Sequence, residues 1–176
     1  MNELDEQFGP IIPAQNGGLK NWERDESLVC YDLNQSSAKQ LADLLAAANA
    51  GSIGHRVATA VTFIWVVASN GDVIFAIEET IEINGTSRMP RMKGVPLNGN
   101  VKPLGHPLLV NGAPGRIAGE LYIDKTVEGD LTWVLNNKSG RYGVHPTRRR
   151  VHLENVADLL RRYGLPVETE FFEVTL

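Results

Sequence analysis

The chain has 176 residues, 43% apolar and 22% charged, which is the composition of a folded globular protein and a length suited to one core, so residues 1–176 are expected to form a single domain. Lys and Arg number 17 against 21 Asp and Glu, and the net charge of −4 argues against a general nucleic-acid binder, because such affinity comes from basic residues displacing counterions. Cys30 is the only cysteine, which excludes an intrachain disulfide and a cysteine-built zinc cage.

The acidic N-terminus lacks the basic and apolar regions of a secretory signal. The longest apolar run, 57–68, is well short of a bilayer span. Both features predict a cytoplasmic chain with no membrane segment, and they are also compatible with delivery to another cell by a dedicated machine.

Residues 1–26 mix Pro10, Pro13, Gly9, Gly17 and Gly18 with charged positions and are expected to form an irregular arm, pinned by Trp22 or Phe8. A short strand is expected within Ser27–Leu33. From Ser37, Leu41, Leu44, Leu45 and Ala48 fall on one helical stripe, with Ser36 or Ser37 as N-cap and Gly51 as the stop. The runs Val57–Val67 and Val73–Ile83 are rich in β-branched and aromatic residues and flank Asn70-Gly71, which predicts a hairpin closed by a type I′ turn. The first run is apolar on both faces, as a central strand would be. Residues 84–114 carry Pro90, Pro96, Pro103, Pro107 and Pro114 and read as a long ordered loop.

A second hairpin is expected from Arg116–Asp124 and Leu131–Asn137, with Leu121 and Ile123 facing Leu135 and Trp133. A last helix is expected near Arg148–Tyr163, capped by Thr147 and stopped by Gly164, and then an acidic edge strand within Glu168–Val174. Two hairpins and two main helices predict an α+β fold with a mainly antiparallel sheet.

The most suggestive chemistry lies in Asn136-Asn137-Lys138-Ser139-Gly140-Arg141-Tyr142-Gly143. Glycines at a strand end let backbone N–H groups approach a ligand. Arg141 offers a planar fork to a phosphate or carboxylate, with Asn136, Asn137 and Ser139 as further ligand-binding groups. Tyr142 could stack on a ring. The structural alternative is a tight turn whose asparagines cap the backbone. His106 is placed as an acid–base candidate in the long loop, against the alternative of a structural hydrogen bond. Glu120, after the small pair Ala118-Gly119, is either a catalytic carboxylate or an outward strand residue paired with Lys138 or Arg116. Arg148, Arg149 and Arg150 form the densest positive cluster. They sit at a helix start, where cations oppose the macrodipole unless an anion answers them. No metal site is expected.

The order Gly105-His106-Pro107, Ala118-Gly119-Glu120-Leu121, Asn136-Asn137-Lys138-Ser139-Gly140-Arg141-Tyr142, then a helix, spans about residues 100–165. It resembles a module at the C-termini of bacterial polymorphic toxins and effectors, also present in plant IQ-motif calmodulin-binding proteins. This chain departs from that pattern at Arg141, where histidine is commoner, and at Gly143, where Arg-Pro usually follows. The resemblance implies an effector or toxin domain of a bacterial conflict system. The most concrete activity would be ADP-ribosyl transfer, with NAD as substrate, His106 and Tyr142 clamping the nicotinamide ribose and Glu120 stabilising an oxocarbenium-like transition state. The alternative is a noncatalytic immunity or antitoxin protein docking on a cognate toxin, for which an acidic surface favours fast association.

Overall fold

The computed structural model describes residues 2–83 and 87–174. Residues 84–86, the start of the expected long loop, lie outside the described residues.

The arm is not irregular throughout. Helix α1 (Glu3–Phe8) opens it, with the Asn2 side chain accepting from Leu4 N–H. Six residues with one buried side chain, Phe8, give little periodic signal, and the helix rests on tertiary contacts. One is the buried guanidinium of Arg116, which donates to Asp5 at 2.7 Å and to the Gly9 carbonyl at 2.8 Å. The expected strand within Ser27–Leu33 shrinks to β1 (Tyr31–Asp32).

Helix α2 (Gln35–Asn49) starts two residues earlier than the apolar stripe indicates. Asn34, not Ser36 or Ser37, is the cap: its side chain accepts from the N–H groups of Ser36 and Ser37, and the Ser37 hydroxyl accepts from Asn34 N–H. Gly51, at φ 80°, turns the chain into α3 (Ser52–Ala60). The expected strand Val57–Val67 is therefore helical over its first four residues. The cause is tertiary, since Gly54 presses so closely on α2 that a Cβ there would stand 2.8 Å from the Ala47 carbonyl oxygen.

Strands β2 (Thr62–Ala68) and β3 (Val73–Ile77) form the first hairpin. Its turn is not type I′, because only Gly71 has positive φ. Gly71 N–H donates to Ala68 carbonyl and Ala68 N–H to Asp72 carbonyl, while the Asn70 side chain binds Asp72; this is a type I turn followed by a glycine bulge. The expected continuation to Ile83 breaks at Glu78. Beyond it, β4 (Glu79–Glu82) joins β5 (Arg88–Pro90) and β6 (Val101–Pro103) in a separate small sheet ordered β5-β4-β6. The Pro-rich segment thus holds two short strands and, after them, a 3-10 helix at His106–Val110.

Strands β7 (Gly115–Lys125) and β8 (Leu131–Asn136) make the second hairpin in the expected register, Leu121 opposite Leu135 and Ile123 opposite Trp133. Helix α4 (Arg150–Arg162) has Arg149 rather than Thr147 at its cap position and leads to β9 (Val167–Glu170). The main sheet runs β1-β3-β2-β7-β8-β9 and is antiparallel except for the parallel pair β8–β9, so the fold is α+β as expected. No helix among the described residues is long and apolar enough to cross a membrane.

One face of the sheet, carrying Phe63, Trp65, Ile117, Leu121 and Trp133, packs on α2 and α4 as the main core. The opposite face carries Ile64, Val66, Ala76 and Ala118 under Ile12, Leu109 and Tyr142. β2 is accordingly buried on both sides.

Where β8 ends, the chain folds back against β7. A Cβ on Gly119 would lie 1.8 Å from the Asn136 carbonyl oxygen, and one on Gly143 would lie 2.1 Å from the carbonyl oxygens of Ala118 and Asn137. Backbone sits directly on backbone, which only glycine permits at these two points. Replacing Gly119 by Ala should therefore cost about 3 kcal/mol or more, a fall in Tm of roughly 6–12 °C. Gly140→Ala, where the nearest neighbour is 3.6 Å away, should stay within about 0.5 kcal/mol of the parent in urea unfolding. Equal losses from the two substitutions would contradict this picture.

Candidate functional site

The expected site residues separate into two groups. His106, Asn137, Ser139, Arg141 and Tyr142 are turned inward and hold loops together, whereas Glu120 and Asn136 open onto a cleft.

Asn137 is fully buried. Its Nδ2 donates to the carbonyls of Gly143 (3.2 Å) and Phe172 (2.9 Å), and its Oδ1 accepts from Phe172 N–H at 2.7 Å, tying the fold-back to the C-terminal segment. Ser139 Oγ accepts from the N–H groups of Arg141 and Tyr142. Tyr142 is buried in the second core, and its hydroxyl donates to the Ala113 carbonyl at 2.8 Å. Burial pushes that phenol up to about 12. Arg141 donates to the Gly18 carbonyl and lies 3.7 Å from the buried carboxylate of Glu23. Glu23 in turn accepts from the N–H groups of Gly105 and Lys20, so the guanidinium anchors the N-terminal arm.

His106 is buried with Nε2 2.9 Å from the Gly119 carbonyl, so the neutral ring carries its proton on Nε2 and donates there. Burial, aided by the positive charge of Arg141, holds the imidazole down at about 4. The expected meeting of His106, Glu120, Arg141 and Tyr142 in one cavity is not observed. Three of the four have their polar atoms committed to protein partners, the reading given above as the structural alternative.

Glu120 lies on the other half of the same sheet face. Cross-strand register places Ile64, Glu120, Asn136 and Glu170 in one row and Thr62 opposite Tyr122 in the next. All of these except Ile64, which belongs to the second core, floor a cleft of about 220 Å³, walled by Glu78 and by Arg91, Lys93 and Lys138. Glu120 pairs with neither Lys138 nor Arg116: its carboxylate accepts from Asn136 Nδ2 at 3.2 Å, while Asn136 Oδ1 accepts from Glu120 N–H and Lys138 N–H, each at 2.9 Å. Asn136 thus orients the carboxylate through Nδ2 and holds the backbone of Glu120 and Lys138 through Oδ1. Glu78 is buried and 2.8 Å from Arg91; desolvation raises its pKa, opposed by Arg91 and reinforced by Glu120. Tyr122 hydroxyl donates to Glu170 at 3.2 Å, Lys93 lies 4.4 Å from its ring centroid, and burial with the Glu170 charge lifts the phenol to about 12.

The site therefore offers a carboxyl group whose pKa burial raises, a second carboxylate held by an amide, and three cations at the rim, of which Arg91 is paired with Glu78 and Lys93 with Asp124. Sequence reasoning reached Glu120 and Asn136 but missed Glu78, Arg91, Lys93, Tyr122 and Glu170. The usable signals were the two-residue period linking Glu120 to Tyr122 and the first carboxylate after an apolar strand, Glu78. Among the described residues no group of three His, Cys, Asp or Glu side chains is placed to hold a metal ion. No known protein family, characterised protein or solved structure matches the chain.

The buried imidazole makes stability depend on pH. Below about pH 6.5 the unfolded chain binds a proton that folded His106 refuses, so stability falls as pH drops from 6.5 towards 4, by up to about 3 kcal/mol for this residue. His152, likewise held at about 4 by burial and by Arg149 and Arg148, acts in the same direction. His106→Gln, which can keep a donor to Gly119, should remove roughly half of the slope in urea unfolding between pH 6.5 and 4.5. An unchanged slope would show that His106 titrates normally in the folded protein.

Proposed function

We propose that the cleft binds a small anionic, hydroxyl-bearing ligand of the kind a nucleotide-derived sugar presents, and that the chain is an effector-type domain acting on such a substrate. The observation that carries this reading is the pairing of Glu78 and Glu120 in one cleft beneath Arg91, Lys93 and Lys138. Two carboxyl groups whose environments differ suit acid–base work: burial raises the pKa of Glu78, while Asn136 orients the Glu120 carboxylate. The cations supply attraction for phosphate or carboxylate oxygens. ADP-ribosyl transfer from NAD is the most specific form of this proposal. Glu120, oriented by Asn136, takes the role of stabilising positive charge on the ribose, and the rim cations take the pyrophosphate. His106 and Tyr142 have no place in it beyond supporting the loops.

A cleft of about 220 Å³ is smaller than the usual ~300–1,000 Å³ ligand pocket, so it suits one sugar and its anionic group, with the remainder of a dinucleotide lying across the rim.

One observation favours the noncatalytic alternative, docking on a cognate toxin or other partner protein. Next to the cleft the small sheet exposes Met89, Met92 and Val95 around an apolar hollow of about 270 Å³, a surface suited to a partner's side chain.

Expression in bacteria together with calorimetric titration of ADP-ribose separates the two. The enzyme reading predicts growth arrest that Glu120→Gln relieves, and ADP-ribose affinity that falls about fivefold on Lys138→Ala, roughly 1 kcal/mol. Harmless expression with no ADP-ribose binding, and a stable partner complex lost on Met92→Glu, would instead support docking.

A further inference from the structure

The arginine triplet is not part of the sheet cleft. It lines a hollow of about 400 Å³ between the start of α4 and the C-terminal segment, together with His145, Phe171 and Glu173. We propose that this hollow is a second binding site, for a phosphate group carried by a small ligand, independent of the function proposed for the cleft.

Arg148 is the central observation. It is only 5% exposed, its Nε donates to the Tyr142 carbonyl at 2.9 Å, and its Nη1 donates to the Pro10 carbonyl at 2.9 Å and to Thr147 Oγ1 at 3.2 Å. Its Nη2 is buried without a partner among the described residues. None of Arg148, Arg149 and Arg150 has a carboxylate oxygen within 4 Å among those residues. A buried guanidinium without a counter-ion costs several kcal/mol, and an anion in the hollow would offset it. Arg116, the charged neighbour behind it, is itself positive and already paired with Asp5.

The helix end adds an independent attraction. α4 has thirteen residues, no acidic side chain in its first turn, and an arginine at the cap, which offers no acceptor. The His152 N–H is taken by the Arg149 carbonyl at 2.9 Å and the Arg149 N–H by His152 Nδ1 at 3.2 Å, which leaves the N–H groups of Arg150 and Val151 and the positive end of the dipole for an anion supplied from outside. A phosphate group has enough acceptor oxygens to take the unpartnered Arg148 Nη2, the amides of Arg150 and Val151 and one exposed arginine together. Phe171, whose ring lies 5.5 Å from the Arg150 guanidinium, gives an apolar wall for a ring attached to that phosphate. Glu173 is the one carboxylate lining the hollow, and it opposes an anion there.

The test follows amide shifts by NMR and Tm on the full chain with inorganic phosphate, AMP and acetate at an ionic strength fixed with chloride. Phosphate and AMP should shift the amides of Arg150, Val151 and His152, and raise Tm by about 4 °C at ten times Kd; acetate and chloride should do neither. AMP binding more tightly than phosphate would assign the site to nucleotides, and equal binding would assign it to the phosphate group alone. Arg149→Gln and Arg150→Gln change exposed side chains, so both proteins should fold, each with phosphate affinity reduced roughly five- to tenfold; Glu173→Gln should tighten it. Phosphate shifts confined to Gly94, Glu120 and Lys138 would overturn the proposal, as would undiminished binding when both exposed arginines are replaced.

Discussion

The structure depends on backbone lying against backbone without intervening side chains, where residues 136–143 close over Ala118-Gly119. Gly119 and Gly143 make the approach sterically possible. Asn136 and Asn137 make it tolerable, because every buried peptide group brought into such contact needs a partner. Asn136 serves the N–H groups of Glu120 and Lys138, and Asn137 serves Gly143 and both polar groups of Phe172. Two amide side chains thus join β7, the fold-back and the C-terminal segment into one unit.

The rest of the second face follows from that clasp. On one side of it Tyr142 is pressed onto Ala118 and Val66, and Arg141 reaches the N-terminal arm through Gly18 and Glu23. On the other side Asn136 holds Glu120 outward in a polar cleft. A single local arrangement therefore separates an apolar half, where polar atoms are consumed in folding, from an open half lined by charged side chains, in which Arg91 and Lys93 are paired with Glu78 and Asp124. The C-terminal segment divides space similarly: Phe172 lines the cleft, whereas Phe171 lines the arginine hollow.

The sequence made the second hairpin legible down to its register, because Leu121, Ile123, Trp133 and Leu135 alternate strictly and nothing competes with that pattern. α4 and Gly164 were legible for the same reason of period and stop signal. α3 was not, since Val57–Ala60 carry strand propensity and are held helical by the close contact of Gly54 with α2. The polar motif stood out in the sequence, but its chemistry was ambiguous. Asparagine, serine and arginine beside glycine suit a ligand cradle and a hydrogen-bonded turn equally well, and only burial distinguishes them. Arg91, Lys93 and Glu170 reach the cleft from strands or loops remote in sequence, through a small sheet whose existence the proline-rich segment concealed.

Hydrogen exchange in the native state tests the clasp most directly. If it is the unit described, the amides of Glu120, Lys138, Gly143 and Phe172 should exchange only through global unfolding, with the same free energy as the Trp65 amide in the central strand. Exchange of those four amides several-fold faster than Trp65, with the strand still protected, would mean that residues 136–143 open independently and cannot hold Glu120 or the loops in place.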